Sequence, residues 1–261
     1  ITRDDRLETV AIVGLGLLGG SLGLALRRHR PDVRVLACAR RQESLDDAKA
    51  ADMIDEGSTR PEEILPDADL TVVCIPIVPS IAFCCTNAEL WGDGAVVTDV
   101  GSVKGRVVRG VADRLRSCGV HFVGSHPMAG TENSGLHSAK PDLYDGAVAF
   151  LTRHPGDSPE ALQYVSAFWK SLAMEPHVLS PEPHDMLVAR TSHVLHLLSY
   201  AAAKAYLVEE KAALATGGGF RDFTRIAASS PDMWVEIFES NRENVLAALE
   251  EFSAETVTLR T

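Results

Sequence analysis

The chain has 261 residues, 46% of them hydrophobic and 23% charged, with 20 glycines and 13 prolines. This composition excludes intrinsic disorder, collagen and extended coiled coil, and the length allows one or two domains whose core needs no covalent staples. The formal net charge is −11, and both the stretch to residue 180 and the stretch beyond it are net acidic. That excludes the basic field required by nucleic acid or an anionic bilayer, so an anionic ligand must be held by local cations.

Apolar runs bounded by turn residues predict strands at Thr9–Val13, Val33–Cys38, Leu70–Ile75, Ala95–Asp99, His121–Val123, Ala147–Thr152 and Glu175–Leu179. Helix-length segments separate most of them, at Leu18–His29, Ser44–Ala51, Ile81–Leu90, Lys104–Ser117 and Pro159–Leu172. Strands alternating with helices predict an α/β fold with a mainly parallel sheet and right-handed crossovers. Beyond Ser180 no strand is expected. His184–Leu214, Pro231–Glu251 and Ala254–Leu259 read as helices, with a break forced by Gly217-Gly218-Gly219. The domains are therefore 1–180 and 181–261.

The five cysteines, Cys38, Cys74, Cys84, Cys85 and Cys118, show no C-x-x-C spacing. Free thiols in a reducing, cytoplasmic setting fit better than a disulfide framework or a zinc knuckle. Val10 to Leu26 is uncharged and resembles a signal or membrane segment, but glycines interrupt it and Asp4, Asp5 and Glu8 precede it. The chain opens at Ile1 rather than Met, so an upstream start is expected.

That uncharged stretch has a better explanation. The strand Thr9–Val13 runs into Gly14-Leu-Gly16-Leu17-Leu18-Gly19 and then into a helix, the context in which G-x-G-x-x-G binds a dinucleotide. Gly14 permits the tight turn, Gly16 lets backbone approach a pyrophosphate, and Gly19 lets helix pack on strand. The amides at the helix start, from Leu17 and Leu18, then face the phosphates. Gly19-Gly20-Ser21-Leu22-Gly23 also fits the G-x-S-x-G of serine hydrolases, yet only one strand precedes it, whereas that fold places several before its nucleophile. NAD-binding chains carry an acid about 20 residues after the glycines. Here the second strand ends in Ala39-Arg40-Arg41, two guanidinium groups suited to a 2′-phosphate, so NADP is expected over NAD. The plain alternative is that both arginines are solvated surface charges.

Ligands in open α/β sheets bind beyond the strands' carboxyl ends. Three loops are predicted there: Ile75-Pro76 after the third strand, Asp99-Val-Gly101-Ser102-Val-Lys104 after the fourth, and Gly124-Ser125-His126-Pro127 leading to Glu132 after the fifth. Ile75 and Pro76 suit a nicotinamide or ribose neighbour. His126 precedes Pro127, which restricts its backbone, and an imidazole exchanges protons near neutral pH, so it is the candidate base. In the helical part His193 and His196 lie three apart, too few for a recognisable metal set, and no metal is expected. Gly217–Arg225 reads as an ordered loop presenting Arg225 to a carboxylate, against the alternative of a surface ion pair.

Together these pieces resemble the prephenate/arogenate (cyclohexadienyl) dehydrogenase family of tyrosine biosynthesis. The resemblance rests on Gly14–Leu22, Asp99–Lys104, Ser125–Glu132, Ser192-His-Val-Leu-His196 and Gly217–Ala227 followed by Met233-Trp234, in family order over nearly the whole chain. It implies a Rossmann-type domain followed by an all-helical C-terminal domain for substrate binding and dimerisation, hence a homodimer acting on a small anionic molecule. The implied reaction is NADP-dependent oxidative decarboxylation of prephenate, with arogenate as the other candidate. By the same comparison His126 takes the ring hydroxyl proton, Ser102 orients it, Arg225 holds a substrate carboxylate and His196 lines the pocket. Glu132, Gly218, Asp222 and Trp234 would lie around it. The chain ends at Thr261, so no appended regulatory or mutase domain is expected. The rivals are another NADP-dependent hydroxyacid dehydrogenase, which would want a lysine where the helical half offers only Lys204 and Lys211, and a non-catalytic NADP-sensing dimer.

Overall fold

The computed structural model describes residues 7–131, 133–208 and 210–259. The chain divides into two compact units, Ile1–Pro181 and Glu182–Thr261.

The first unit is built on a sheet of eight strands in the order β3-β2-β1-β4-β5-β6-β7-β8. The strands are β1 (Thr9–Val13), β2 (Arg34–Cys38), β3 (Glu56–Ser58), β4 (Leu70–Val73), β5 (Val96–Asp99), β6 (His121–Pro127), β7 (Val148–Thr152) and β8 (Glu175–Val178). All neighbours pair parallel except β6 and β7. Parallel strands are covered on both faces, which is why β1, β4 and β5 are almost continuously apolar and buried rather than alternating. The helices are α1 (Leu17–His29), α2 (Gln42–Ala50), α3 (Ile77–Thr86), α4 (Gly105–Arg116) and α5 (Pro159–Ser171). On α4, Val107, Val108, Val111, Ala112 and Leu115 form the buried stripe while Arg106, Arg109, Arg114 and Arg116 face outward. Ser158 caps α5 by accepting from the Ala161 amide at 3.2 Å, with Pro159 at the first helical position. Val10, Ile12, Leu22, Leu26, Val35, Val72, Tyr144, Phe168 and Trp169 belong to the core. A side chain of this kind fully buried contributes about 1.5–3 kcal/mol.

Sheet order reverses at β1, where β2 and then β3 lie on one side and β4 on the other. The crevice of an open α/β sheet forms at such a switch point. The three strand ends are tied there, since the Gly14 amide donates to Cys38 O at 2.8 Å and the Cys74 amide to Val13 O at 2.7 Å.

Several expectations need correction. The uncharged stretch from Val10 is β1, a turn and α1, and among the described residues no helix is long and apolar enough to cross a membrane. β3 was not anticipated: it has three residues, one of them Gly57, held by pairing with β2. α3 begins at Ile77 rather than Ile81, because Pro79 falls in the first turn, where its missing N–H costs nothing. β6 runs on through Pro127, so Gly124–Pro127 is strand rather than loop; β7 supplies the antiparallel partner, with His126 opposite Phe150.

The second unit is helical among its described residues: α6 (Pro181–Val188), a π-helical turn at Ala189–His193, α7 (Val194–Tyr206), α8 (Gly218–Thr224), α9 (Pro231–Ser240) and α10 (Arg242–Thr258), with short 3₁₀ turns at Glu210–Ala215 and Arg225–Ala228. Three corrections follow. The expected helix His184–Leu214 is divided by the π turn and ends at Tyr206. The expected helix Pro231–Glu251 breaks at Asn241, whose backbone leaves the helical region at φ −125°, and α10 then runs on through the separate segment foreseen at Ala254–Leu259. The glycine triplet is not a loop, since Gly217 is the N-cap of α8 and Gly218 and Gly219 lie in its first turn.

Candidate active site

The glycine turn shows what two of its glycines are for. Gly14 has φ +97°, a conformation that side chains rarely adopt, and a Cβ there would meet Ile75 Cγ2 at 2.3 Å. A Cβ on Gly19 would lie 1.9 Å from the Gly14 carbonyl oxygen. Gly16 differs: nothing lies within 4 Å of the place where its Cβ would be. It is the N-cap of α1, whose first turn (Leu17, Leu18) carries no acid, so the amides and partial positive charge of the helix end are not answered by an acid of that turn. These residues fit a dinucleotide pyrophosphate. Ile75 packs over Gly14 and Pro76 is the N-cap of α3, so this pair joins the turn. Tyr144 fastens α1 from behind by donating its hydroxyl to Leu18 O at 2.8 Å.

Arg40 and Arg41 are exposed just past β2, the strand whose Cys38 carbonyl receives the Gly14 amide. Arg41 is the N-cap residue of α2, donates to Ser44 Oγ at 3.3 Å and lies 3.8 Å from the Glu43 carboxylate. Such an exposed pair contributes little to stability.

At the carboxyl ends of β5 and β6 the chain builds a buried polar network. Asp99 accepts from the Ser125 amide on Oδ1 at 3.1 Å and from the Gly101 amide on Oδ2 at 2.9 Å. Lys104, wholly buried, pairs with the same Oδ2 and also donates to Ser125 O at 2.7 Å. The Ser125 hydroxyl in turn meets Thr98 Oγ1 at 2.6 Å and the Trp169 indole N–H at 3.0 Å. Ser102, half-buried, follows Gly101; His126, 8% exposed, follows Ser125. Glu132 lies outside the described residues. The roles of Asp99 and Lys104 were not read from the sequence, because a lysine ahead of a surface helix reads as solvated; the available signal was Asp99 and Gly101 preceding it on one strand end.

In the helical unit, His196, Trp234 and Arg225 come together. The His196 ring stacks on the Trp234 indole at 3.5 Å with 19° between planes, and its Nδ1 donates to Ser192 O at 3.1 Å, leaving Nε2 as the acceptor. Burial makes His196 less basic; the bond to Ser192 opposes this, and the nearby Arg225 guanidinium reinforces it. His193 is pushed down to about 4, chiefly by burial, and accepts from Asn241 Nδ2 at 3.2 Å. It therefore stays neutral near pH 7 and meets Trp234 edge-on at 6.0 Å. Trp234 Nε1 is buried without a hydrogen-bond partner. Gly218, Asp222 and Arg225 are exposed on α8 and the turn after it. The π turn between α6 and α7 ends on His193 and lies just ahead of His196, and such turns recur at functional sites. Among the described residues, no three His, Cys, Asp or Glu side chains are grouped to hold a metal ion.

A nucleotide-binding sheet with an imidazole and a hydroxyl at adjoining strand ends, in a chain that also carries a helical unit, defines the class of dinucleotide-dependent oxidoreductases. Profiles described as "Prephenate dehydrogenase, nucleotide-binding domain" and "Prephenate dehydrogenase, dimerization domain" match residues 22–175 and 180–261. Cyclohexadienyl dehydrogenase of Zymomonas mobilis is 31% identical over 258 residues, covering 97% of this chain and 87% of that protein. The structure of Aquifex aeolicus prephenate dehydrogenase in complex with hydroxyphenyl propionate and NAD+ is similar at a TM-score of 0.90 and 33% identity, covering 98% of this chain and 90% of that one. Synechocystis arogenate dehydrogenase is similar at 0.82 and 26%, covering 96% and 90%. The chain belongs to the prephenate dehydrogenase family.

Proposed function

We propose that the protein oxidises and decarboxylates prephenate with NADP to give 4-hydroxyphenylpyruvate in tyrosine biosynthesis. Residues 1–180 bind the dinucleotide, and residues 181–261 bind substrate and form a homodimer. The observation that supports the reading is that β5 and β6 are parallel neighbours, so the segment bearing Ser102, just past β5, and His126, on β6, belong to adjoining strands of one sheet. A nicotinamide dinucleotide held at the turn of Gly14, Gly16 and Gly19 would supply the acceptor for the hydride of the carbinol carbon. His126 removes the hydroxyl proton, and Ser102 orients that hydroxyl. The ring carboxylate departs as CO₂, its bonding electrons passing through the ring to the former hydroxyl oxygen, which takes the proton back from His126 as the ring becomes aromatic. The chain must chiefly align its substrate and supply one base. Five free cysteines suit a reducing cytoplasm. An assay of nucleotide reduction and CO₂ release with prephenate, then arogenate, tests the reading; no reduction with either overturns it, and a clear preference for arogenate replaces the substrate.

Arg225 is assigned to a substrate carboxylate, since a chain of net charge −11 needs a specific cation for an anionic ring compound. Its electrostatic influence reaches His196, which stacks on Trp234, so cation, neutral acceptor and aromatic face share one patch. A hydrogen bond to a charged group contributes about 1.5–3 kcal/mol. Arg225→Ala should therefore raise KM for prephenate roughly 10- to 100-fold with kcat within a few-fold; an unchanged KM in steady-state kinetics removes the assignment.

The preference for NADP is supported by Arg40 and Arg41, exposed past β2 with no acid at the strand end. The Aquifex relative was solved with NAD+, so the distinction is worth a direct comparison. kcat/KM should favour NADP, and Arg40→Ala with Arg41→Ala should lower the NADP value by about 10- to 100-fold while sparing NAD, as expected for lost charge-assisted bonds to phosphate. A parent enzyme that prefers NAD sinks the proposal.

A further inference from the structure

Asp99 and Lys104 form a buried ion pair that the reaction as derived does not use. Such pairs are costly to desolvate and are weak evidence for stability, so this one calls for a different explanation. Its connections are specific. One carboxylate reaches the Gly101 amide, beside Ser102, and the Ser125 amide, beside His126. The ammonium of Lys104 takes the Ser125 carbonyl, so Ser125 is held through both of its main-chain polar groups. The chain also makes room for the arrangement: a Cβ on Gly101 would lie 2.9 Å from Asp99 Oδ2, and one on Gly124 would lie 3.3 Å from the Lys104 stem. Every group involved belongs to β5, β6 and the segment leading into α4, within the first unit.

We propose that Asp99, held by Lys104, is a positioning residue for the reaction: one carboxylate sets the loop of Ser102 and the strand of His126 at a fixed separation. The proposal rests on the roles given above to Ser102 and His126. Small errors in the placement of reacting groups reduce rates steeply, so the pair acts on turnover rather than on nucleotide affinity. Only a carboxylate serves, because three donors converge on two oxygens; a carboxamide would turn an N–H toward one of those donors.

The test is the double variant Asp99→Asn with Lys104→Met, which removes both charges and leaves no orphan ammonium. Removing both charges avoids an uncompensated buried ion, while the mismatched carboxamide and the Ser125 carbonyl cost some stability, so a lowered but still cooperative thermal transition is expected. In that folded variant kcat with the parent's preferred substrate should fall at least tenfold while the nucleotide Kd stays within threefold. A kcat within threefold of the parent's overturns the proposal. A tenfold or greater loss of nucleotide affinity overturns it too, because the pair would then be shaping the sheet at large. If the variant does not fold, hydrogen exchange in the unmodified protein decides: the Gly101 and Ser125 amides should exchange as slowly as the β5–β6 ladder, and exchange at the rate of open loops overturns the proposal. A parent chain that oxidises neither prephenate nor arogenate would overturn the functional reading instead, and the exchange measurement would still report on the clamp.

Discussion

His126→Asn is expected to lower kcat by two or more orders of magnitude with KM for prephenate largely kept. Asparagine preserves a planar polar side chain but offers no basic nitrogen, and one well-placed base contributes about 10²- to 10⁴-fold. The backbone at this position is held independently of the imidazole. β6 pairs with β7 through Gly124–Pro127, and Ser125 is fastened through its amide, carbonyl and hydroxyl. The substitution should therefore leave the melting temperature nearly unchanged, separating lost chemistry from lost structure. Steady-state kinetics beside a thermal melt read both quantities. A variant retaining more than a tenth of parental turnover would show that the proton leaves by another route.

The second large effect concerns the glycine turn, where two neighbouring substitutions should fail differently. Gly19→Ala places a methyl group 1.9 Å from the Gly14 carbonyl oxygen, a backbone atom that cannot swing aside. α1 must lift from β1, at the 1–3 kcal/mol typical of overpacking, and the amides of Leu17 and Leu18 move with it. The melting temperature should fall by roughly 2–10 °C and nucleotide affinity by at least about 100-fold. Gly16→Ala adds a methyl group with nothing within 4 Å, so stability should stay within about 0.5 kcal/mol. Nucleotide affinity should still drop about tenfold or more, because the added carbon stands where the pyrophosphate approaches. Calorimetric nucleotide binding and thermal melts on both variants check the pair; unaltered affinity in Gly16→Ala would place the phosphates elsewhere.

The contrast between these glycines also shows why this part of the fold was legible in the sequence. Steric demands at Gly14 and Gly19 are met by glycine alone, and Gly16 between them completes the spacing that announces the turn. The strand bearing His126 was less legible. Gly124, Ser125 and Pro127 are turn formers by composition, and only the remote β7 makes them strand, so the histidine appeared as a loop residue when it sits in a paired strand. Pro79 misplaced the start of α3 for a related reason: a proline's meaning depends on whether it stands in the first turn or the interior of a helix, and spacing alone does not say. In the helical unit the π turn at Ala189–His193 carries no glycine or proline to announce it. Asn241 breaks α9 from α10 while its side chain bonds Asp185 O at 2.8 Å and His193, a tertiary reason that local pattern cannot encode. The burial of Lys104 is the same kind of fact, since it depends on Asp99 and Ser125 arriving from two different strands.

The reversal of strand order at β1 bears on how the protein is made. β1 leaves the ribosome before any other strand of the sheet, yet it ends between β2 and β4. Its second partner, Leu70–Val73, is synthesised some sixty residues later, as the register Val10↔Leu70 records. Until then an apolar ribbon with one open edge waits exposed, and long-range parallel pairing is intrinsically slow. Pairing at so long a separation is expected to be a slow step in forming the sheet, and the edge of β1 that awaits β4 is where a holding chaperone would act.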